Sequence, residues 1–487
     1  MTAHPRSAVA AALLCLLAGT TAASAEEPSA NKRQAVTGVE RQETALVGLS
    51  DQIWGFAETA LRETRSAAVL ADYAESQGFR VERGVAEMPS AFVATYGEGR
   101  PIIGILGEYD ALPGLSQGAV PERQPLVAEG AGHGCGHNLF GPASLGAAVA
   151  IKELLAAGQL QGTVRFYGTP AEESVGGKVY MARAGLFSDL DAVVAWHPAD
   201  QNRADTGSSQ AMVDFVVDFF GRSSHAAVDP WNGRSAVDGL EIFTHALNMM
   251  REHIRPTARI HYTIVDGGDV PNVVPAHARL WCWVRDEKRT GVEEMMGRVR
   301  KMAEGAALAA DVESRLTVQA GVYEMLPSLI GARLLQSNME WLGEPRFSAE
   351  EQEFARQLQQ AAGVEAVGID SSIPPLNEHP GSPEGGSTDV ADVSWIVPTV
   401  HLSAVMAPKG IPWHAWPVVA SAGSSIGHHG MLYASRVLAA TMVDLYEHPE
   451  QLQAMRQELD AKTRGEAYHT LIPDGPPPVP KDVAGSR

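Results

Sequence analysis

The stretch Glu129-Gly-Ala-Gly-His-Gly-Cys-Gly-His-Asn-Leu-Phe-Gly141 is the part around which the rest of the chain is organised. Its thirteen residues include two histidines, one cysteine and five glycines, with no apolar recurrence at helical or strand spacing. That pattern describes a loop shaped around a ligand, because glycine lets the backbone turn sharply enough for neighbouring side chains to converge. Cys135 and His137, one glycine apart, offer a thiolate and an imidazole, donors suited to zinc and similar divalent metals.

Outward from this loop, three short apolar runs each lead into polar groups. Ile102 to Leu106 precedes Gly107-Glu-Tyr-Asp-Ala-Leu-Pro113, Val164 to Tyr167 precedes Gly168-Thr-Pro-Ala-Glu-Glu-Ser174, and Ala192 to Trp196 ends directly in His197. Between the first two, a helix is predicted to open at Pro142 and run to about Ala157, with Gly158 at its end. Alternating strands and helices predict an open α/β sheet, whose ligands sit outside the carboxyl ends of the strands. Asp110, Glu172, Glu173 and His197 are therefore expected in one crevice with Cys135 and His137. Upstream, Gln34 to Ala57 and Thr64 to Ser76 carry helical spacing.

A second rhythm begins near Gln210. Strands are predicted at Ala211 to Phe220, Ile260 to Val265, Ala276 to Val284 and Leu316 to Tyr323, and helices at Ser235 to His253 and Gly291 to Ala310. The order βαββαβ is that of a ferredoxin-like unit, small enough to be an inserted lid or dimerisation domain. The α/β pattern then resumes with a strand at Pro398 to Met406, the loop Gly410-Ile-Pro-Trp-His-Ala-Trp416 and a helix at Ile426 to Tyr446. The organisation expected is a signal segment at 1–25, a catalytic domain split into 26–208 and 326–472, an inserted domain at 209–325 and a proline-rich tail at 473–487.

The signal segment is read from Arg6, the apolar run Ala8 to Ala18, and Ala23-Ser-Ala25 ahead of Glu26. It predicts a periplasmic or secreted mature protein. The formal charge of −20 becomes −21 once Arg6 is removed. A surface this acidic repels phosphate backbones and anionic lipid, which argues against nucleic acid and membrane surfaces as partners. Cleavage would also remove Cys15, leaving Cys135 and Cys282 in an oxidising compartment where a disulfide has to be considered. Cys282, in the apolar run Arg279-Leu-Trp-Cys-Trp-Val284, reads as a small buried hydrophobe.

Amide hydrolysis needs an activated water, a polarised carbonyl and a proton for the leaving nitrogen. Two metal ions about 3.5–4 Å apart supply the first two, and a carboxylate that is not a ligand can carry the proton. Adjacent carboxylates such as Glu172 and Glu173 suit that division, since neighbours on an extended loop point to opposite sides. Cys135, His137, Glu173, His197 and one late histidine make five donors, with Cys135 as the shareable bridge.

Five motifs occur together: Glu108-Tyr-Asp-Ala-Leu-Pro113, His133-Gly-Cys-Gly-His-Asn138, Ala171-Glu-Glu-Ser174, Arg222-Ser-Ser-His-Ala226 and Pro271-Asn-Val-Val-Pro275. In this order the chain resembles the dinuclear metallopeptidase family of aminoacylases, carboxypeptidases and amidohydrolases. The resemblance implies an α/β fold with a mixed-sheet catalytic domain and an inserted dimerisation or lid domain. It also implies two divalent ions per protomer, Zn2+ or Mn2+, and a homodimer formed through the inserted domain. The substrate it implies is a small N-acyl or N-aroyl amino acid, p-aminobenzoyl-glutamate first. Position by position, it makes Cys135, His137, Glu173 and His197 metal ligands, Glu172 the general base and later acid, and Asp110 a residue that orients a metal-bound histidine without being a ligand itself. His414 is preferred as the last ligand over His428 and His429. His225 is implied to reach the partner's site as an oxyanion donor, with Asn272 contacting substrate nearby.

Arg234 is a candidate carboxylate fork, although a surface salt bridge accounts for it equally well. The loop Gly385-Gly-Ser-Thr-Asp389 is a second candidate anchor, and His133 has no assigned task. Two other readings compete. In one, Cys135 is the nucleophile of a thiol amidase with His137 as its base, which leaves Glu172, Glu173 and His197 idle. In the other, the chain is a non-catalytic periplasmic binding protein, against which the intact Glu172 speaks.

Overall fold

A computed structural model describes residues 27–383 and 386–479. The expected signal segment and residues 480–487 lie outside the described residues. Eleven strands are described: β1 (Arg80–Arg83), β2 (Phe92–Glu98), β3 (Ile102–Gly107), β4 (Gly162–Gly168), β5 (Ala192–Ala199), β6 (Arg203–Ala204), β7 (Ala211–Phe220), β8 (Arg259–Asp266), β9 (His277–Asp286), β10 (Glu313–Val322) and β11 (Thr399–Val405).

Seven of them form a mixed sheet in the order β1-β2-β4-β3-β5-β11-β6. The centre is parallel, β4 with β3, β3 with β5, and β5 with β11. The β1/β2, β2/β4 and β6/β11 pairs are antiparallel. Near-continuous apolar runs in β3, β4 and β5 suit a parallel centre covered on both faces. On one face, helix His137–Ala156 packs against helices Ser425–Glu447 and Ala30–Arg41 in a large apolar core. His137–Ala156 is long and apolar enough to cross a membrane by composition, yet it lies inside the protein because it is the central helix of this core.

The other four strands form an antiparallel sheet in the order β10-β7-β9-β8. Helices Ala236–Met250 and Arg289–Ala310 cover one face through their own apolar cluster, so the element order is βαββαβ. Strand β8 is an edge strand and exposes Ile264 and Val265 at 53% and 54%.

Three boundaries differ from expectation. The central helix begins at His137, five residues ahead of Pro142, because Gly136 at φ 77° turns the loop straight into it. Strand β5 continues through His197 to Ala199, carried by its parallel register with β11 as far as Ala199 opposite Val405. The expected helix over 34–57 is two helices, Ala30–Arg41 and Glu43–Phe56, meeting at Gln42.

Candidate metal centre

The centre gathers at the carboxyl ends of β3, β4, β5 and β11, where unusual backbone holds the donors. Gly136 separates Cys135 from His137, and a Cβ there would stand 2.6 Å from Met406 Cε and 2.9 Å from Pro198 Cβ. Only glycine combines that approach with the positive φ. His414 also holds a positive φ, 53°, and its N–H donates to the Gly134 carbonyl at 3.1 Å, which ties the late loop to the glycine-rich one. Ala171, just before Glu172 and Glu173, holds φ 62°. Non-glycine residues in this region mark positions that the surroundings hold in place.

Cys135 Sγ lies 3.3 Å from His197 Nε2, and His414 Nε2 lies 3.4 Å from Glu173 Oε2. Donor atoms of Cys135, His137 and His197 fall within 4.8 Å of one another, as do those of Cys135, Glu173 and His414. A third group, Glu108, His137 and Glu172, lies beside them. Cys135 is common to the first two groups, the position of a bridging ligand. His197 Nδ1 is 2.7 Å from the Pro198 carbonyl, an interaction that directs Nε2 at the crevice. Glu173 Oε1 is buried without a hydrogen-bond partner, and His137 Nε2 and Glu108 Oε2 are buried 3.1 Å apart, facing each other without hydrogen-bond geometry. One thiolate, three imidazoles and carboxylates with orphaned buried atoms fit a pair of borderline divalent metals such as zinc or manganese.

The electrostatics point the same way. Burial and the charges of Glu108, Glu173 and Asp389 raise the Glu172 carboxyl well above its ordinary range. Burial likewise lifts Glu173 to about 7 and pushes the Cys135 thiol up. Burial alone would lower His137, but Glu108, Cys135 and Asp110 together raise it well above the usual histidine range. His197 is held down at about 4 by burial and by His137, so it is neutral and available as a donor. Carboxylates thus outnumber cationic side chains in the crevice, and a bound dication reverses the local logic by favouring every deprotonated donor.

In the supporting layer, Lys178 and Glu108 carry no role from sequence. Lys178 is fully buried, with Nζ 2.6 Å from Glu108 Oε1 and 2.7 Å from Asp389 Oδ1. Glu108 Oε2 lies 3.1 Å from His137 Nε2. Asp110 holds His137 Nδ1 at 2.8 Å and accepts the Glu173 N–H at 2.9 Å. Asp389, the last residue of the expected anchor loop, is taken up by Lys178. His133 sits outside the donor groups, with Nε2 3.0 Å from the Ile53 carbonyl.

His428 and His429 pair with Asp51 and Glu351, away from the donor groups that include His414. His225 and Asn272 lie side by side and exposed on the second unit, where Ala226 N–H donates to Asn272 O. Neither is among the gathered donors. Arg234 is engaged by Asp311 and by the carbonyls of Gly233 and Trp231. Cys135 and Cys282 are both free, so no disulfide removes the thiolate.

Comparison with known proteins agrees with this geometry. The profile of peptidase family M20/M25/M40 matches residues 104–406. The chain is 36% identical over 468 residues to one of the component chains of p-aminobenzoyl-glutamate hydrolase from Escherichia coli K12, covering 91% of this chain and 97% of the relative. It is 28% identical over 448 residues to the Xaa-Arg dipeptidase of Homo sapiens, covering 88% and 91%. Among solved structures, the aminobenzoyl-glutamate utilization protein from Klebsiella pneumoniae shares the fold at TM-score 0.61 and 18% identity, over 84% of this chain and 98% of that one. A dinuclear metal binding M20 peptidase from Bacillus subtilis does so at TM-score 0.56 and 18% identity, over 84% and 99%. The chain belongs to peptidase family M20/M25/M40 and is a metallo-amidohydrolase.

Proposed function

We propose that this chain hydrolyses the amide bond of N-acyl or N-aroyl amino acids, p-aminobenzoyl-glutamate-like compounds first among them. The observation that carries the reading is the half-buried Glu172 carboxyl, next in sequence to Glu173 and gathered with Glu108 and His137 beside two donor groups that share Cys135. In this reading Cys135, His137, His197, Glu173 and His414 hold two Zn2+ or Mn2+ ions, which supply Lewis acidity toward the substrate carbonyl and a water molecule. Glu172 takes the proton from water and returns it to the leaving nitrogen. Asp110 keeps His137 in one tautomer.

The assembly proposed is a homodimer through the second sheet, in which His225 serves the neighbouring copy's site and Asn272 and Arg234 contact the substrate. Support comes from the apolar surface around edge strand β8, where Ile264 and Val265 are joined by Ile242 and Met249 of helix Ala236–Met250 as exposed residues. The Escherichia coli relative is named as one component of a hydrolase with two kinds of chain. Assembly with a second, different chain is therefore the alternative, and light scattering of the purified protein separates the two. Export with loss of residues 1–25 belongs to the same proposal, and sequencing the mature N-terminus tests it.

Assaying a panel of N-acyl amino acids with added zinc, manganese or cobalt tests the function. The expected result is chelator-sensitive hydrolysis and about two metal equivalents per chain. Chelator-insensitive hydrolysis abolished by a thiol alkylator would overturn it in favour of a cysteine nucleophile.

A further inference from the structure

Glu63 carries a fully buried carboxyl group, 0% exposed, that the mechanism above does not use. It stands at the N-cap of helix Thr64–Ser76, yet its side chain does not cap that helix. Oε1 instead accepts the backbone N–H of Ala171 at 2.9 Å, 108 residues away, and Oε2 accepts the Ser90 hydroxyl at 3.0 Å. The Ser90 carbonyl in turn accepts the Tyr109 hydroxyl at 2.5 Å, and Tyr109 lies between Glu108 and Asp110.

Ala171 is the residue at φ 62°, a conformation that a residue with a side chain keeps only where its surroundings hold it. On the far side of Glu172, the N–H of Glu173 is held by Asp110 Oδ2 at 2.9 Å. The two amides that flank Glu172 are therefore each fixed by a different buried carboxylate. Asp110 supplies one bracket and Glu63 the other. Within the turn the Ala171 carbonyl accepts the amides of Val175 and Gly176, and the Ala171 amide itself is held from outside the turn by Glu63.

We infer that Glu63 is a positioning residue for Glu172: its hydrogen bond to the Ala171 amide holds the left-handed turn that aims the Glu172 carboxyl into the crevice. The inference rests on the general-base role proposed for Glu172. Reach matters in this arrangement, and charge does not, since a neutral amide oxygen at the same place accepts the Ala171 N–H equally well.

Two substitutions separate reach from charge. Glu63→Gln keeps the length of the side chain and an acceptor oxygen, whereas Glu63→Asp keeps the carboxyl group and withdraws it by one methylene. The expected result is a kcat within threefold of the parent for Gln, and a fall of roughly 10²-fold for Asp with KM little changed, the size of loss that a misplacement near 1 Å brings. Hydrogen exchange over residues 169–176 should quicken in the Asp variant only, and metal content should match the parent in both. Equal loss in both variants, or parent-like kcat and exchange in the Asp variant, overturns the proposal. If the Asp variant does not fold, Gln decides alone: parent-like kcat and exchange sustain the proposal, and a loss of tenfold or more overturns it. Glu172→Gln is assayed alongside, and parent-like turnover in that variant sinks the general-base reading whatever the Glu63 variants do.

Discussion

Asp110 Oδ1 lies 2.8 Å from His137 Nδ1, with both side chains shut away from solvent. The pairing fixes which nitrogen faces the crevice, since Nε2 is then the one left to a metal, buried 3.1 Å from Glu108 Oε2 without a hydrogen bond between them. Asp110→Asn keeps the shape but withdraws the charge that makes His137 a stronger donor. Metal affinity is expected to fall by about 10–100-fold. Competition with a chromophoric chelator measures this directly, and unchanged affinity would remove Asp110 from the support of the site.

Glu172 tests the chemistry separately from metal binding. Its carboxyl is raised by burial and by neighbouring carboxylates, which suits a group that must both take and return a proton. In Glu172→Gln the side chain keeps its size and loses only that exchange. Turnover should drop by about 10²–10⁴-fold, while metal content measured by atomic emission stays at the parent value. Loss of metal in this variant would mean that Glu172 is a ligand.

The late histidine can be settled by stoichiometry. His414 faces Glu173 at 3.4 Å, whereas His428 and His429 are bound to Asp51 and Glu351. His414→Ala should release about one of two metal equivalents, and the His428→Ala and His429→Ala variants should release none. Retention of both metals in His414→Ala would transfer the role elsewhere.

What could be read in the chain and what could not follows from the range of each interaction. Cys135 and His137 were legible because one glycine separates them, and Asp110, Glu173 and His197 because residues at strand ends share a crevice. The Pro142 signal misplaced the helix start, since Gly136 already opens the helix at His137. Lys178, Glu108 and Asp389 were illegible as a unit, since their contacts span 70 and 211 residues and each alone reads as an ordinary charge. The one available hint was a lysine within Gly176-Gly-Lys-Val-Tyr-Met-Ala182, where its neighbours give it no polar face. Glu63 left no hint, because its partner is a backbone amide in another segment.

The metal-free protein should respond to pH in a particular sense. Burial holds the carboxyls of Glu63, Glu173 and Asp392 at about 8, 7 and 8. The unfolded chain releases these protons near about pH 4, so through about pH 6.5–8 the folded state holds more protons and loses stability as pH rises. His137, raised well above its usual range, acts in the same direction. His133 and His197, held down at about 4, act oppositely, but only below their unfolded value of about 6.5. The Tm of chelated protein is therefore expected to fall from pH 6.5 to 8, and the gap to metal-loaded protein to widen, because metal binding favours deprotonated donors. Calorimetry in matched buffers checks both, and a chelated Tm that rises across the window contradicts the account.

His225 offers the sharpest test of the proposed assembly. Its Nδ1 accepts the N–H groups of Ala227 and Val228, each at 3.2 Å, so the neutral ring carries its proton on Nε2 as a hydrogen-bond donor. It sits on the second unit, outside the gathered donors, and in the proposed dimer it serves the neighbouring copy's site. A donor aimed at a developing oxyanion contributes about 10²–10³-fold in kcat, the loss expected of His225→Ala while the dimer persists by light scattering. Mixing His225→Ala with Glu172→Gln then distinguishes sharing between protomers from action within one. If His225 crosses to the partner, each hybrid dimer regains one intact site, and an equal mixture recovers about a quarter of parent activity once protomers exchange. If His225 acts within its own chain, hybrids contain no intact site and activity stays at the level of the two variants alone.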